Sequence, residues 1–539
     1  MSGLAVVTPP PAALVFWDIV DESFDEAEFL WGRRDAALEA HGRTLAQVET
    51  WIEERLMGAL DGVCVAGGAA VDRVLAPALD GEDCSQIAAS AYALLSGGTA
   101  GGAEVFSSAF LRASGTKLAA LRRGLELVEE ARVHAALAAS VKGASPAVHA
   151  AFLEACAFRG LPVSPNFGDL FASANADIQK AAARLLRFAP APVQREWLAR
   201  ALNLKDRAAR EVAVETGLVA GFPGTWALCC DLAGAQIRGS AAMLLLAAML
   251  GSERDHKMVL AALAIEGLQR DAIWALGFGG RRSGADACVE LLAQDRDVKL
   301  AAEAFCAITG LDLRAAGLVA PPVPEADEPI AFEQEDLDAD LEPRPEELLP
   351  APDVGGVIRW WSQQRPHFDG DSRYMGGRLA SFDLLYGTLV NGPMRRRHAT
   401  AVEMAIRTEG RVQVQTRALV PTQRRQMAAF AGLPREAFSG SFARAMAQPV
   451  PIPYPNLGKA ADTTAGPPKV TTDDCMPMVK DAKYIMTSGD EAGSAGGVVS
   501  GTIKGEAEFM MYSFDVKFEG KNVCRLADPL FHNKKNTMG

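Results

Sequence analysis

The chain has 539 residues, of which 49% are hydrophobic and 22% charged, enough apolar side chain for about two to four domains with cores of their own. A formal charge of −13 argues against a general nucleic-acid binder, which needs a basic face for phosphate contacts. The longest apolar stretches, such as Ala241 to Leu250, fall short of the roughly 20 residues that cross a bilayer, so no membrane insertion is expected.

At the N-terminus, Pro9, Pro10 and Pro11 stand where a secretory signal would carry a basic segment leading into an apolar one, which predicts a cytoplasmic start. From Trp17 to Glu130 apolar residues recur at helical spacing, as in Leu45, Val48, Trp51, Ile52 and Leu56, and glycine pairs such as Gly67-Gly68 and Gly97-Gly98 mark loops. Residues 1–130 therefore read as an N-terminal helical region. Across 131–320 a period appears: segments opening at Asp177, Asp206, Gln236, Leu268 and Asp297 each run from polar residues into Ala and Leu, about 30 residues apart. A unit of that kind buries its apolar side only against its neighbours, so the pattern predicts a HEAT-like helical solenoid.

Pro321 to Pro350 holds eleven acidic residues and one basic residue, Arg344, and with its prolines it reads as an extended, self-repelling linker, 321–352. Helical periodicity resumes at Val357 and predicts a further helical unit over 353–435. After Met446 the composition changes: Pro449 to Pro455 alternates proline with Val, Ile and Tyr, and Gly, Thr, Val and Lys then replace Ala and Leu. The clearest strand is Phe509 to Glu519, where Tyr512, Phe514, Val516 and Phe518 alternate with polar residues, predicting one buried and one wet face. The fold class expected is multidomain: a mostly α helical-repeat region followed by a small all-β domain at 446–539.

Catalytic signatures are sparse. No H-E-x-x-H, G-x-S-x-G or P-loop string occurs, and Gly277 to Gly284 departs from a dinucleotide loop because Arg282 stands at the third glycine position. His41, His134, His149, His256, His367 and His398 are scattered without a local acid or nucleophile, and most of the nine cysteines, Cys229, Cys230, Cys288 and Cys306 among them, sit in apolar helical contexts as small hydrophobes. The basic runs Arg395 to His398 and Arg424-Arg425 read as a solvated helix face touching the acidic linker. No enzymatic activity is expected from these patterns.

Pro451 to Asn456 (Pro-Ile-Pro-Tyr-Pro-Asn), Thr487 to Gly493, Gly496 to Gly501, Ile503-Lys-Gly505 and Phe518 to Arg525 together resemble the PAAR-like family. That resemblance implies a small conical β-domain seated on the end of the trimeric valine-glycine-repeat spike of type VI secretion systems. Glu26 to Asp35, the repeats, and Trp360-Trp361 through Arg373 to Gly377 resemble an uncharacterised family of helical-repeat proteins associated with type VI secretion genes. The spike-docking candidates are Pro451, Pro453, Tyr454, Pro455, Asn456, Tyr512 and Phe514. PAAR tips commonly hold zinc through three histidines and a cysteine, so possible zinc ligands are Cys475, Cys524 and His532, with water or Asp528 completing the set. Cys524 equally reads as a buried strand residue and His532 as a loop residue.

These readings predict a type VI spike-tip adaptor or cargo protein, cytoplasmic and with export without a signal peptide left open, whose β-domain docks on the spike while the solenoid presents a concave face to an effector, chaperone or target. The alternatives are a toxic effector with an unrecognised enzymatic helical region and a cytoplasmic assembly scaffold.

Overall fold

Asp83, Ser145, Asn175 and Asp206 each accept a backbone N–H from the first turn of the helix that follows, the capping that starts Cys84–Ser96, Pro146–Arg159, Ala176–Leu186 and Arg207–Val219. The computed structural model describes residues 15–97, 101–141, 143–161, 165–237, 239–321, 345–432, 456–491, 497 and 499–538. These fall into two compact units, residues 1–446 and 447–539.

In the first unit, Cys84–Ser96, Gly115–Leu127, Pro146–Arg159, Ala176–Leu186 and Arg207–Val219 stack in sequence, as do Ala241–Leu250, Gln269–Gly279 and Val298–Thr309, and Thr225–Gly234 packs on both Arg207–Val219 and Ala241–Leu250 to join the two stacks into one row. Alanine makes the row possible, because methyl side chains such as Ala181, Ala182 and Ala183, all fully buried, let neighbouring helices approach closely. Other helices, among them Thr225–Gly234, Glu253–Ala262 and Arg282–Ala293, pack as a second layer between successive row members. This is the helical-hairpin repeat that the sequence period predicts. It starts at Cys84 rather than near residue 131, so no boundary falls at residue 130. Cys84–Ser96 hides its membership because Ile87 to Ala91 are all buried, which erases the amphipathic contrast on which periodicity depends.

Trp17–Leu38 opens the unit and packs on Glu54–Cys64 and Cys84–Ser96, burying Phe24, Leu30 and Trp31. Residues 345–432 do not form a separate helical domain; they belong to this same unit. Phe382–Asn391 and Met394–Arg407 pack together, and Met394–Arg407 lies against Trp17–Leu38, Arg207–Val219 and Ala241–Leu250. Most of the expected linker, residues 322–344, lies outside the described residues. Its flanks meet: Ala320 N–H donates to the Ala351 carbonyl and Asp353 N–H to that of Leu318, each at 2.8 Å. Among the described residues no single helix is long and apolar enough to cross a membrane.

The second unit is built on a five-stranded antiparallel sheet in the order Thr537–Met538, Leu530–His532, Ala507–Phe509, Lys483–Tyr484, Thr463–Thr464. Leu457–Gly458 pairs with Thr487–Ser488, and Lys517–Phe518 forms a hairpin with Lys521–Asn522. The long strand expected over Phe509 to Glu519 is broken. Ser513 turns inward, its hydroxyl donating to Asp515 at 2.8 Å and accepting from Val516 N–H at 3.2 Å, and this turn puts Phe514 outside instead of inside.

Candidate functional site

The β-unit has little core of its own. Among the described residues the buried apolar side chains are Val479, Ala482, Ala507 and the prolines Pro467 and Pro477, while Leu457, Ile485, Val499, Phe514, Val516, Leu526 and Met538 are largely exposed. Polar bonds supply part of what apolar packing does not. Asn533, in a left-handed turn that Asn tolerates, accepts from Gly505 N–H at 2.7 Å and donates to the Thr502 carbonyl at 2.6 Å. Asp490 accepts from Lys504 N–H at 3.1 Å, the Thr487 hydroxyl donates to the Gly505 carbonyl at 2.9 Å, and Asn536 accepts from Val499 N–H at 2.8 Å. Across the sheet Lys483 bridges Glu506 at 2.9 Å and Glu508 at 3.3 Å, and Lys535 joins Glu508 at 2.9 Å. Glu506, Glu508, Lys534 and Lys535 line a small open pocket there. No periodicity in the sequence marks these residues.

Of the docking candidates, Pro451, Pro453, Tyr454 and Pro455 lie outside the described residues. Asn456 is half-buried and donates to Asp490 at 3.4 Å. Tyr512 carries the Lys480 ammonium 5.3 Å from its ring centre, and Phe514 stands 86% exposed. Asn456 and the Tyr512–Phe514 pair thus belong to different local clusters.

The zinc candidates are not brought together. Among the described residues no three histidine, cysteine or acidic side chains lie close enough to hold a metal ion. Cys475 closes a tight turn with Thr472, whereas Cys524 N–H donates to the Met478 carbonyl and His532 sits on another strand, paired with Thr537. Burial, reinforced by Asp528, pushes the Cys524 thiol up to about 11. Asp528 is committed to Arg525, at 3.0 Å. The donor set does not fit zinc.

In the helical unit the arginines are the unexpected feature. Arg397, read from sequence as solvated, is fully buried and bonded to Gln423 at 2.9 Å, and Arg396 donates to the Gly277 carbonyl at 2.8 Å. Arg395 does reach the acidic segment, 3.7 Å from Glu346. Glu403, 1% exposed, lies between Arg373 at 2.9 Å and Arg407 at 2.8 Å. Burial raises its carboxyl, but the two guanidiniums outweigh burial and hold it below the ordinary carboxylate value. His398 bridges the Leu38 carbonyl at 2.9 Å and the Thr416 hydroxyl at 2.6 Å. Gly277 to Gly284 covers the end of Gln269–Gly279, the two-residue turn Gly280-Arg281 with Gly280 in the left-handed region, and the start of Arg282–Ala293.

Comparison with known proteins bears on the β-unit. Residues 443–539 match the family described as "Toxin PAAR-like domain". The chain is also similar to "DNase toxin Tse7" of Pseudomonas aeruginosa, 44% identical over 93 residues, which is 17% of this chain and 24% of that protein. The chain thus matches about a quarter of the length of this curated relative. No solved structure matches. A sheet of short strands with outward apolar side chains, in the segment that carries the ordered PAAR-like motifs, agrees with these matches, and the chain joins a helical-repeat region to a C-terminal PAAR-like domain of the type VI secretion kind.

Proposed function

We propose that this chain rides on a type VI secretion spike, its PAAR-like domain seated on the trimeric valine-glycine-repeat protein and its helical unit delivered as cargo or serving as an adaptor. The carrying observation is the inverted burial of the β-unit: few apolar side chains inside, and Phe514, Val516 and Leu526 outside. A domain that exposes such residues gains stability when a partner covers them, by about 25 cal/mol per Å² of apolar surface removed from water. Mixing the full chain with its cognate spike trimer and measuring mass by light scattering should give one chain per trimer, and Phe514→Asp with Leu526→Asp should weaken the complex at least tenfold. No association of the unaltered chain at micromolar concentration would overturn the reading.

A second reading, effector toxicity, is favoured by the relative's name. The likeness covers 93 residues, 17% of this chain, and the family match at 443–539 supports delivery, so any toxic activity is a separate proposal for the helical unit or an associated partner. Loss of viability on expressing the full chain in a bacterium without the cognate immunity genes would favour the toxin.

A further inference from the structure

Helices end on carbonyls that lack intrahelical partners, and those ends carry partial negative charge. In this unit residues 373–407 answer them. Arg373 donates to the Phe278 carbonyl at 3.1 and 2.8 Å, Arg396 to that of Gly277 and Arg407 to that of Met249 at 3.3 Å. Backbone N–H groups do the same: Tyr374 to Gly280 at 2.7 Å, Gly376 to Ala307 at 2.8 Å and Gly377 to Ile308 at 2.9 Å. The acceptors lie at the ends of Ala241–Leu250, Gln269–Gly279 and Val298–Thr309, three successive members of the row.

Further along, donation runs in both directions. Arg34 donates to the carbonyls of Arg417 and Ala418 at 3.0 and 2.9 Å, Arg123 donates to that of Arg417 at 3.0 Å, and Val420 N–H donates to Glu53 at 2.7 Å. One segment is therefore bonded both to the end of the row and to the opening helix Trp17–Leu38. The two extremes also touch directly, His41 lying 3.0 Å from Glu303.

We infer that residues 345–432 are an intramolecular clasp that seals the helical unit into a closed body, and that these non-covalent contacts hold it without help from chain continuity through 322–344. The bonds between the flanks at 318–320 and 351–353 keep both sides of such a break in place. The row ends that the clasp covers are not free to receive a partner, so cargo or chaperone meets the helical unit elsewhere. This differs from the open concave face that the repeat pattern alone suggests.

The test is made on the full chain with a recognition sequence for a site-specific protease inserted between Ala331 and Phe332. After complete cleavage the two pieces should co-elute at the position of the uncut protein, with at least a tenfold excess of joined over separate material at micromolar concentration. Separation of the pieces would overturn the clasp. In the uncut, unaltered chain, the amides of Tyr374, Gly376 and Gly377 should exchange hydrogen within tenfold of those in Gln269–Gly279, and exchange a thousandfold faster would overturn it independently. Glu403→Gln, which leaves two buried guanidiniums without their carboxylate, should speed Tyr374 exchange tenfold or more relative to Ala209 in the row. An unchanged ratio would remove Glu403 from the clasp.

Discussion

His256 is buried, both ring nitrogens lacking a hydrogen-bond partner among the described residues, and the bare faces of Gly279 and Gly284 make room for its ring. Burial, with Arg281 adding to it, lowers its pKa from 6.5 to about 4. The folded state therefore prefers the neutral ring, and the unfolded chain takes up a proton first as pH falls. Stability from this residue is complete above pH 6.5 and declines between 6.5 and about 4, by roughly 3 kcal/mol at most. Urea denaturation at pH 6.5, 5.5 and 5.0 should show that decline, and His256→Gln should flatten part of it. A slope unaltered by the substitution would mean that the ring is charged in the folded protein. His134, lowered to about 4 by burial and then by Arg159, adds a second term of the same sign.

At the scale of elements, the turns that receive the clasp are tested by glycine. Gly280 and Gly221 share the left-handed conformation, at φ +67° and +63°, so alanine at either meets backbone strain of about 1–2 kcal/mol. They differ in surroundings: a Cβ at Gly280 would stand 2.1 Å from the Tyr374 carbonyl oxygen, and one at Gly221 meets nothing within 4 Å. Gly221→Ala should cost only the strain, and Gly280→Ala about 3 kcal/mol or more, read as the difference in denaturation midpoint at constant slope. Equal losses would show that the hairpin at 374–379 yields easily. The sequence makes the repeats legible because caps and alanine faces are local. It conceals the clasp because Arg373 and Glu403 stand 30 residues apart, and Arg34 and Ala418 stand 384 apart, without a shared period. A run such as Arg395 to His398 looks solvated until helix ends needing donors are found beside it. The docking and zinc candidates came from motif resemblance rather than periodicity. The structure separates the zinc set because Cys475 closes a turn with Thr472, Cys524 follows the Lys521–Asn522 strand and His532 lies on Leu530–His532, whereas Asn533 and Asp490, which hold the loops, carry no local signature.

For the whole molecule, two units with such different interiors should each give their own calorimetric transition. The β-unit should melt first, since Val479, Ala482 and Ala507 bury little apolar surface, and saturating spike trimer should raise that transition alone. A single transition unaffected by spike would contradict both the two-unit division and the docking proposal. The distance that the clasp travels along the chain also sets an order of events during synthesis. The row is finished at Thr309, but Val420, which reaches back to Glu53, leaves the ribosome roughly 110 residues later, about 5–20 s at 5–20 residues per second. Until the donors between Arg373 and Arg407 emerge, roughly 60 to 100 residues after Thr309, the nascent protein carries a stack of alanine-rich helices whose carbonyl ends lack their later partners, so the newborn chain has a window in which a holding chaperone can engage a surface that the mature protein never shows.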